Sequence, residues 1–282
     1  MARPNPSQRG LVRTRNSVRT IIFTIGMFIM AANCARAEKW ELVWSDKFDY
    51  QGLPDRTKWD YEEGFVRNDE SQYYTRARLE NARVEHGMLV IECRKEHYTP
   101  SNHAPVEYTA ASLITRNKAS WQCGRIEARA KLPQGKGVWP AIWTLGTNIS
   151  RAGWPACGEI DIMEFVGKEA TNIYGTIHYA VGGKHQSDGG SLEVDKPYGD
   201  FHVYAAEWYP DRIDFFFDRK KYHTALIEKA GKGEANPFHS PHYLLINFAL
   251  GGSWGATIDD TVLPQQFLID YVRVYRATAS PQ

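Results

Sequence analysis

The chain has 282 residues, with 34 lysines and arginines against 33 acids and a formal net charge of +1. That length fits one large domain. The charge is unevenly spread: the first 37 residues hold six arginines and no acid, so the remaining 245 carry a net charge of −5, which argues against nucleic acid as a partner.

The N-terminus reads as a secretory signal peptide. An arginine-rich leader precedes the apolar run Ile21 to Ala32, followed by Ala35-Arg36-Ala37. Twelve apolar residues are too few to span a bilayer, and Ala-x-Ala is a favoured cleavage site. Residues 1–37 are expected to be removed, leaving residues 38–282 as a single domain, secreted or periplasmic and free of the membrane. A lipid anchor on Cys34 is the weaker alternative, because Ala31-Ala32-Asn33 lacks the large aliphatic residue of such sites. Cleavage leaves Cys93, Cys123 and Cys157, so at most one intrachain pair can form.

Beyond the leader, short runs of strand-forming residues recur between turn signals. They are Trp40 to Trp44, Leu89 to Lys95, Gly124 to Leu132, Tyr174 to Ala180, His202 to Trp208, Ile213 to Phe217, Leu244 to Leu250 and Phe267 to Tyr275. No long amphipathic helix interrupts them. The class is all-β, an antiparallel β-sandwich. Arg125 to Leu132 alternates charged and apolar residues, as a strand with one wet face does. Gly182 to Asp200, rich in glycine and polar residues, is expected to be a loop beside a cleft.

The most chemically loaded stretch is Gly158-Glu159-Ile160-Asp161-Ile162-Met163-Glu164-Phe165. On a helix its three carboxylates would point in different directions. On a strand Glu159 and Asp161 share a face, and one extra residue in a β-bulge, most simply Met163, returns Glu164 to it. The two glutamates are then about 13 Å apart at their Cα atoms, at roughly 3.3 Å per residue. Their side chains can bring the carboxyls towards the separation of about 5–5.5 Å that suits a nucleophile and an acid/base in sugar chemistry. Like charges in a row destabilise a strand face unless something uses them.

Nine tryptophans exceed what a core of this size needs, and indole rings stack on sugar rings. Trp139 and Trp143 follow Gly135-Lys136-Gly137, and Trp154 lies just before the carboxylates, so all three could flank a cleft.

The block Trp139-Pro-Ala-Ile-Trp143 followed by Trp154-Pro-Ala-Cys-Gly-Glu-Ile-Asp-Ile-Met-Glu-Phe165 resembles the signature of glycoside hydrolase family 16, in its laminarinase-type members, from about Trp40 to Tyr275. The resemblance implies a jelly-roll (concanavalin-like) sandwich with its cleft on the concave sheet. It further implies a monomeric, secreted, retaining endo-β-1,3-glucanase acting on β-glucan, with no cofactor for catalysis. Mixed-linkage β-1,3-1,4-glucanase, agar- or carrageenan-type galactanase and a non-catalytic glucan-binding module are the alternatives. By resemblance Glu159 is the nucleophile and Glu164 the acid/base, while Asp161 accepts a hydrogen bond from Glu159. Trp139, Trp143 and Trp154 match sugar platforms. His178, Asn68 and Trp254 match polar or loop positions of the cleft, although a histidine on a strand and an asparagine in a turn are also ordinary structural residues. The arginine that many such sequences carry near Ser112 is absent.

Asp270 reads as a carboxylate on a core face, with Leu268, Val272 and Val274, and so needs a partner. A lysine or arginine would serve. The resemblance offers a structural calcium held by Asp270 and by the carbonyls of Lys47 and Gly87.

Overall fold

The computed structural model describes residues 39–101 and 103–278. The leader and its expected cleavage site lie outside them. The first strands are β1 (Lys39–Asp46), β2 (Asp60–Glu62), β3 (Tyr73–Tyr74), β4 (Ala82–Glu85), β5 (Met88–Tyr98) and β6 (Val106–Ala110). Next come β7 (Ser112–Ile114), β8 (Gly124–Lys131), β9 (Val138–Gly146), β10 (Glu159–Glu164), β11 (Asn172–Val181) and β12 (Lys184–Glu193). The last are β13 (His202–Trp208), β14 (Arg212–Phe217), β15 (Lys220–Leu226), β16 (His242–Leu250) and β17 (Gln265–Thr278). All eight runs named from the sequence are strands.

The strands form two sheets. One has seven strands in the order β12-β11-β10-β9-β16-β7-β2. The other has ten, ordered β15-β14-β13-β8-β17-β5-β6-β3, with β1 added to β17 and β4 to β5. Alternation decides what lies between them. In β11, Ile173, Ile177 and Tyr179 are buried inward, whereas Tyr174, Thr176 and His178 face outward. Ile126, Ala128 and Ala130 of β8 meet this core from the opposite sheet.

Two central strands of the seven-stranded sheet are buried on both faces, and this places the site. Val138 and Ile142 of β9, with Leu244, Ile246 and Phe248 of β16, enter the main core. On the outer face Ala141, Trp143, Leu145, Tyr243 and Leu245 pack into a second apolar cluster with Cys157. Full burial of a side chain such as Leu245 contributes roughly 1.5–3 kcal/mol, so the floor beside β10 is as well packed as a core. Cys93 and Cys157 are buried free thiols, so neither joins a pair among Cys93, Cys123 and Cys157.

Two expectations are corrected. Gly182 to Asp200 is a loop only after Glu193: Gly182 and Gly183, with φ of 58° and 76°, form a two-residue hairpin turn, and β12 runs back along β11 as an edge strand. Its glycines and polar residues suit an edge that must not recruit other strands. Asp270 is not on the core face. The register of β17 against β8 shifts between Ile269 and Tyr271, so the inward residues are Phe267, Ile269, Val272 and Val274. The Asp270 side chain is turned out, 37% exposed, and accepts a hydrogen bond from Arg129 Nη1 at 2.7 Å. The arginine-partner reading of Asp270 therefore describes its surroundings.

His242 opens β16 fully buried, between Thr144 Oγ1 at 3.0 Å from Nδ1 and the Pro237 carbonyl at 3.2 Å from Nε2. A neutral ring satisfies both, donating from Nε2 and accepting at Nδ1. Burial pushes its pKa down from 6.5 to about 4. The folded state thus binds fewer protons than the unfolded state between those values, and stability falls as pH drops from 6.5 towards 4. At about 1.4 kcal/mol per pKa unit, the loss approaches 3 kcal/mol. His242→Gln should unfold with a shallower pH dependence in this window than the native chain, measured by urea titration at pH 4.5 and 7; equal slopes would contradict it.

Candidate active site

The bulge expected from the carboxylate spacing is present. Against β9, Glu159, Ile160 and Asp161 pair with Leu145, Thr144 and Trp143, then Met163 and Glu164 pair with Ile142 and Ala141, leaving Ile162 as the extra residue. Against β11, Asp161 pairs with Thr176 and Glu164 with Tyr174, so Ile162 and Met163 together oppose Gly175. The insertion thus begins one residue before Met163. Ile160, Ile162 and Met163 all enter the core, which sends Glu159, Asp161 and Glu164 to the outer face. Gly175 is required opposite the bulge: a Cβ there would stand 2.5 Å from the Tyr222 hydroxyl and 2.6 Å from the Phe215 ring.

Each carboxylate is held. Trp154 Nε1 donates to Glu159 at 2.9 Å, and Trp139 Nε1 donates to Glu164 at 3.0 Å. Asp161 is 3% exposed. Burial pushes all three carboxyls above their ordinary range, and the neighbouring negative charges push in the same direction: Asp161 on Glu159, and Glu164 on Asp161. Such a group titrates as a set, sharing protons among its members.

His178 lies opposite Glu159 on β11. Its Nε2 is 3.1 Å from Asp161 Oδ2, off the line of a regular hydrogen bond, and 3.9 Å from Glu159 Oε1. Its nearest carboxylate is therefore Asp161, not Glu164. Nδ1 faces His185 Nε2 at 2.8 Å, and the two rings stack. His185 was not singled out from the sequence, yet the Gly182-Gly183 turn carried the signal. Counting outward from that turn pairs Ala180 with His185, which puts His185 on the face of His178. The ligand atoms of Glu159, Asp161 and His178 lie within 4.8 Å of one another, a spacing that would also admit a divalent cation.

A cavity of about 420 Å³ extends from these carboxylates across β9 and β16 to Glu62 on β2. Trp139 and Trp143 form part of its wall but are only 8% and 6% exposed. Trp143 donates from Nε1 to Asn247 at 2.7 Å, and the Arg67 guanidinium covers its ring at 4.8 Å. Trp154, 52% exposed, is the indole that offers a free face. Trp254 packs edge-on against Trp139 and Tyr174 beside Glu164. Asn68 lines the cavity in a left-handed conformation and donates to Glu70 at 3.2 Å. Glu70 also accepts from Gln72 and Tyr74, and Tyr74 OH accepts from Asn247, so a buried polar chain ties the Asn68 loop to Trp143. Ser112, where no arginine stands, is linked to one through Glu62. Arg67 is ion-paired to Glu62, which also accepts from Ser112 Oγ at 2.6 Å. Arg67, Glu62 and Asn247 escape a reading of the sequence because they meet only through the order of β16, β7 and β2.

The model of "Glycosyl hydrolases family 16" matches residues 69–273. The "Beta-glucanase" of Rhodothermus marinus is 44% identical, over 94% of this chain and 97% of that protein. The "Glucan endo-1,3-beta-glucosidase" of Cryptopygus antarcticus is 35% identical, over 87% and 96% respectively. The X-ray structure of the laminarinase from Rhodothermus marinus superposes with a TM-score of 0.78 at 46% identity, covering 86% of this chain and 99% of that one.

Because the folded-state carboxyls of Glu159 and Glu164 titrate above the ordinary value of 4.5, the folded protein binds more protons than the unfolded one above that pH. Stability contributed by these groups therefore falls as pH rises from 4.5 through their raised values. Glu159→Gln and Glu164→Gln should each melt above the native protein at pH 7, with the gap closing as pH is lowered to about 4. A native protein that melts as high as both variants at pH 7 would refute the burial argument.

Proposed function

Because the chain belongs to glycosyl hydrolases family 16, we propose that it cleaves internal β-1,3-glucosidic bonds of laminarin-like glucans with retention of configuration. The observation that carries this reading is the bulged strand that sets Glu159 and Glu164 on one face of the cleft with Asp161 between them. In the proposed reaction Glu164 gives its proton to the departing glycosidic oxygen while the Glu159 carboxylate attacks the anomeric carbon. A covalent glycosyl-enzyme forms. Glu164, now a base, takes a proton from the water that attacks this intermediate, and Glu159 departs as a carboxylate.

The surroundings support these roles. Burial raises Glu164 and so keeps a proton available for the leaving group. Burial and the Asp161 charge raise Glu159 too, and the Trp154 N–H and nearby His178 oppose that shift, favouring the carboxylate that a nucleophile must carry in the free enzyme. The exposed face of Trp154 suits a sugar ring beside the scissile bond. A binding module on the same scaffold would have no use for three mutually repelling, hydrogen-bonded carboxylates, which favours the enzyme. Calcium is a separate proposal. It would use the Asp270 oxygen that Arg129 leaves open, with the Lys47 and Gly87 carbonyls, and would brace the sandwich away from the cleft.

Laminarin, mixed-linkage glucan, agarose and carrageenan should be supplied in parallel, with laminarin expected to give short oligosaccharides fastest. Proton NMR of the first products should show the β-anomer before mutarotation, because attack by Glu159 and then by water inverts the anomeric carbon twice. An initial α-anomer would exclude Glu159 as nucleophile. EDTA should lower the melting temperature and calcium restore it; a melting curve indifferent to both leaves Asp270 to Arg129 alone.

A further inference from the structure

At the tip of the β11–β12 hairpin, Trp154, His178 and His185 form a contiguous cluster, and the reaction scheme gives neither histidine a task. Resting on the reading of Glu159 as nucleophile, we propose that His185 is a positioning residue that holds the Glu159–Asp161 pair through two separate contacts. Through its ring it packs against Trp154, with centroids 4.8 Å apart, and Trp154 Nε1 donates to Glu159. Through Nε2 it meets His178 Nδ1 at 2.8 Å, and His178 Nε2 faces Asp161 Oδ2 at 3.1 Å. The two contacts end on neighbouring carboxylates of one face of β10, Glu159 and Asp161.

The hydrogens are assigned as follows. Asp161 Oδ2 is a buried carboxylate oxygen without a regular hydrogen bond, so it favours a hydrogen on His178 Nε2. In the proposed arrangement Nδ1 carries no hydrogen and accepts from its neighbour, 2.8 Å away. His185 Nε2 supplies that hydrogen and fixes the His178 tautomer. Without it the His178 ring is free to carry its hydrogen on Nδ1, and Nε2 would then present a lone pair to Asp161. His185 reaches neither carboxylate itself, and its effect passes entirely through Trp154 and His178.

Two substitutions separate the contacts. His185→Phe keeps a ring beside Trp154 but has nothing to donate. His185→Gln loses the ring but keeps an amide N–H close to the position of Nε2. Both lie on an exposed edge strand, and melting temperatures are recorded with the kinetics. On soluble β-1,3-glucan oligosaccharides the Phe variant should lose about five- to tenfold in kcat, the scale of one hydrogen bond, with KM within about twofold of native. The Gln variant should recover most of that loss. Nitrogen-15 NMR of the imidazoles should show the Nε2–H tautomer of His178 in the native protein and a mixture in the Phe variant. A native kcat in the Phe variant, equal losses in Phe and Gln, or a raised KM at unchanged kcat would each overturn the proposal. The last would make His185 a sugar contact only. If the native protein gave no products from any β-1,3-glucan, the reading of the enzyme itself would fail; Glu159→Gln inactivity together with an indifferent His185→Phe would remove only the positioning role.

Discussion

Three carboxylates buried side by side repel one another, and the structure around β10 is organised to tolerate this. The bulge at Ile162 and Met163 aligns them, and Gly175 opposite it leaves room for the Tyr222 and Phe215 side chains packed beneath. Neither feature reduces the repulsion. Relief comes from outside the strand: Trp139 and Trp154 each supply an N–H to one glutamate, and His178 stands against Asp161. In a low-dielectric site such donors matter more than they would in water. Apolar packing supplies the rigidity behind them, since β9 and β16 are buried on both faces.

That double burial also decides what the tryptophans do. An indole on an open sheet can stack on sugar, but Trp139 and Trp143 are enclosed and their N–H groups are committed to Glu164 and Asn247. They serve the cleft as donors and walls. Arg67 lies over the Trp143 face, held by Glu62, which Ser112 in turn supports. A guanidinium therefore reaches this end of the cleft from the loop after β2.

The parts legible in the sequence are those governed by local period. Alternation identifies eight strands, and the spacing of Glu159, Asp161 and Glu164 by itself demands a bulge. The exact place of the bulge is less legible: Ile162 and Met163 are both apolar and both enter the core, so hydrophobicity cannot say which is extra. Asp270 fails for the complementary reason. A second bulge, in β17, changes the inward residues from odd to even positions, and nothing local in Leu268 to Val274 announces it. β9 carries Pro140 and has no polar face, so it lacks the alternation by which the other strands are recognised.

What the sequence could not show were contacts made across several strands. Asn247, Tyr74 and Glu70 are far apart in the chain yet connect the Trp143 wall to the Asn68 loop. Ser253 N also donates to the Asn68 carbonyl at 2.8 Å, joining the two loops that carry Asn68 and Trp254. The consequence is that the cleft's polar residues are not independent decorations on a rigid sheet. Substituting Tyr74, for instance, would leave Asn247 and Glu70 each short of a buried partner, and a cost of that kind falls on the whole wall. Specificity at this end therefore depends on a network, while the chemistry at β10 depends on a local bulge, and only the second is written in adjacent residues.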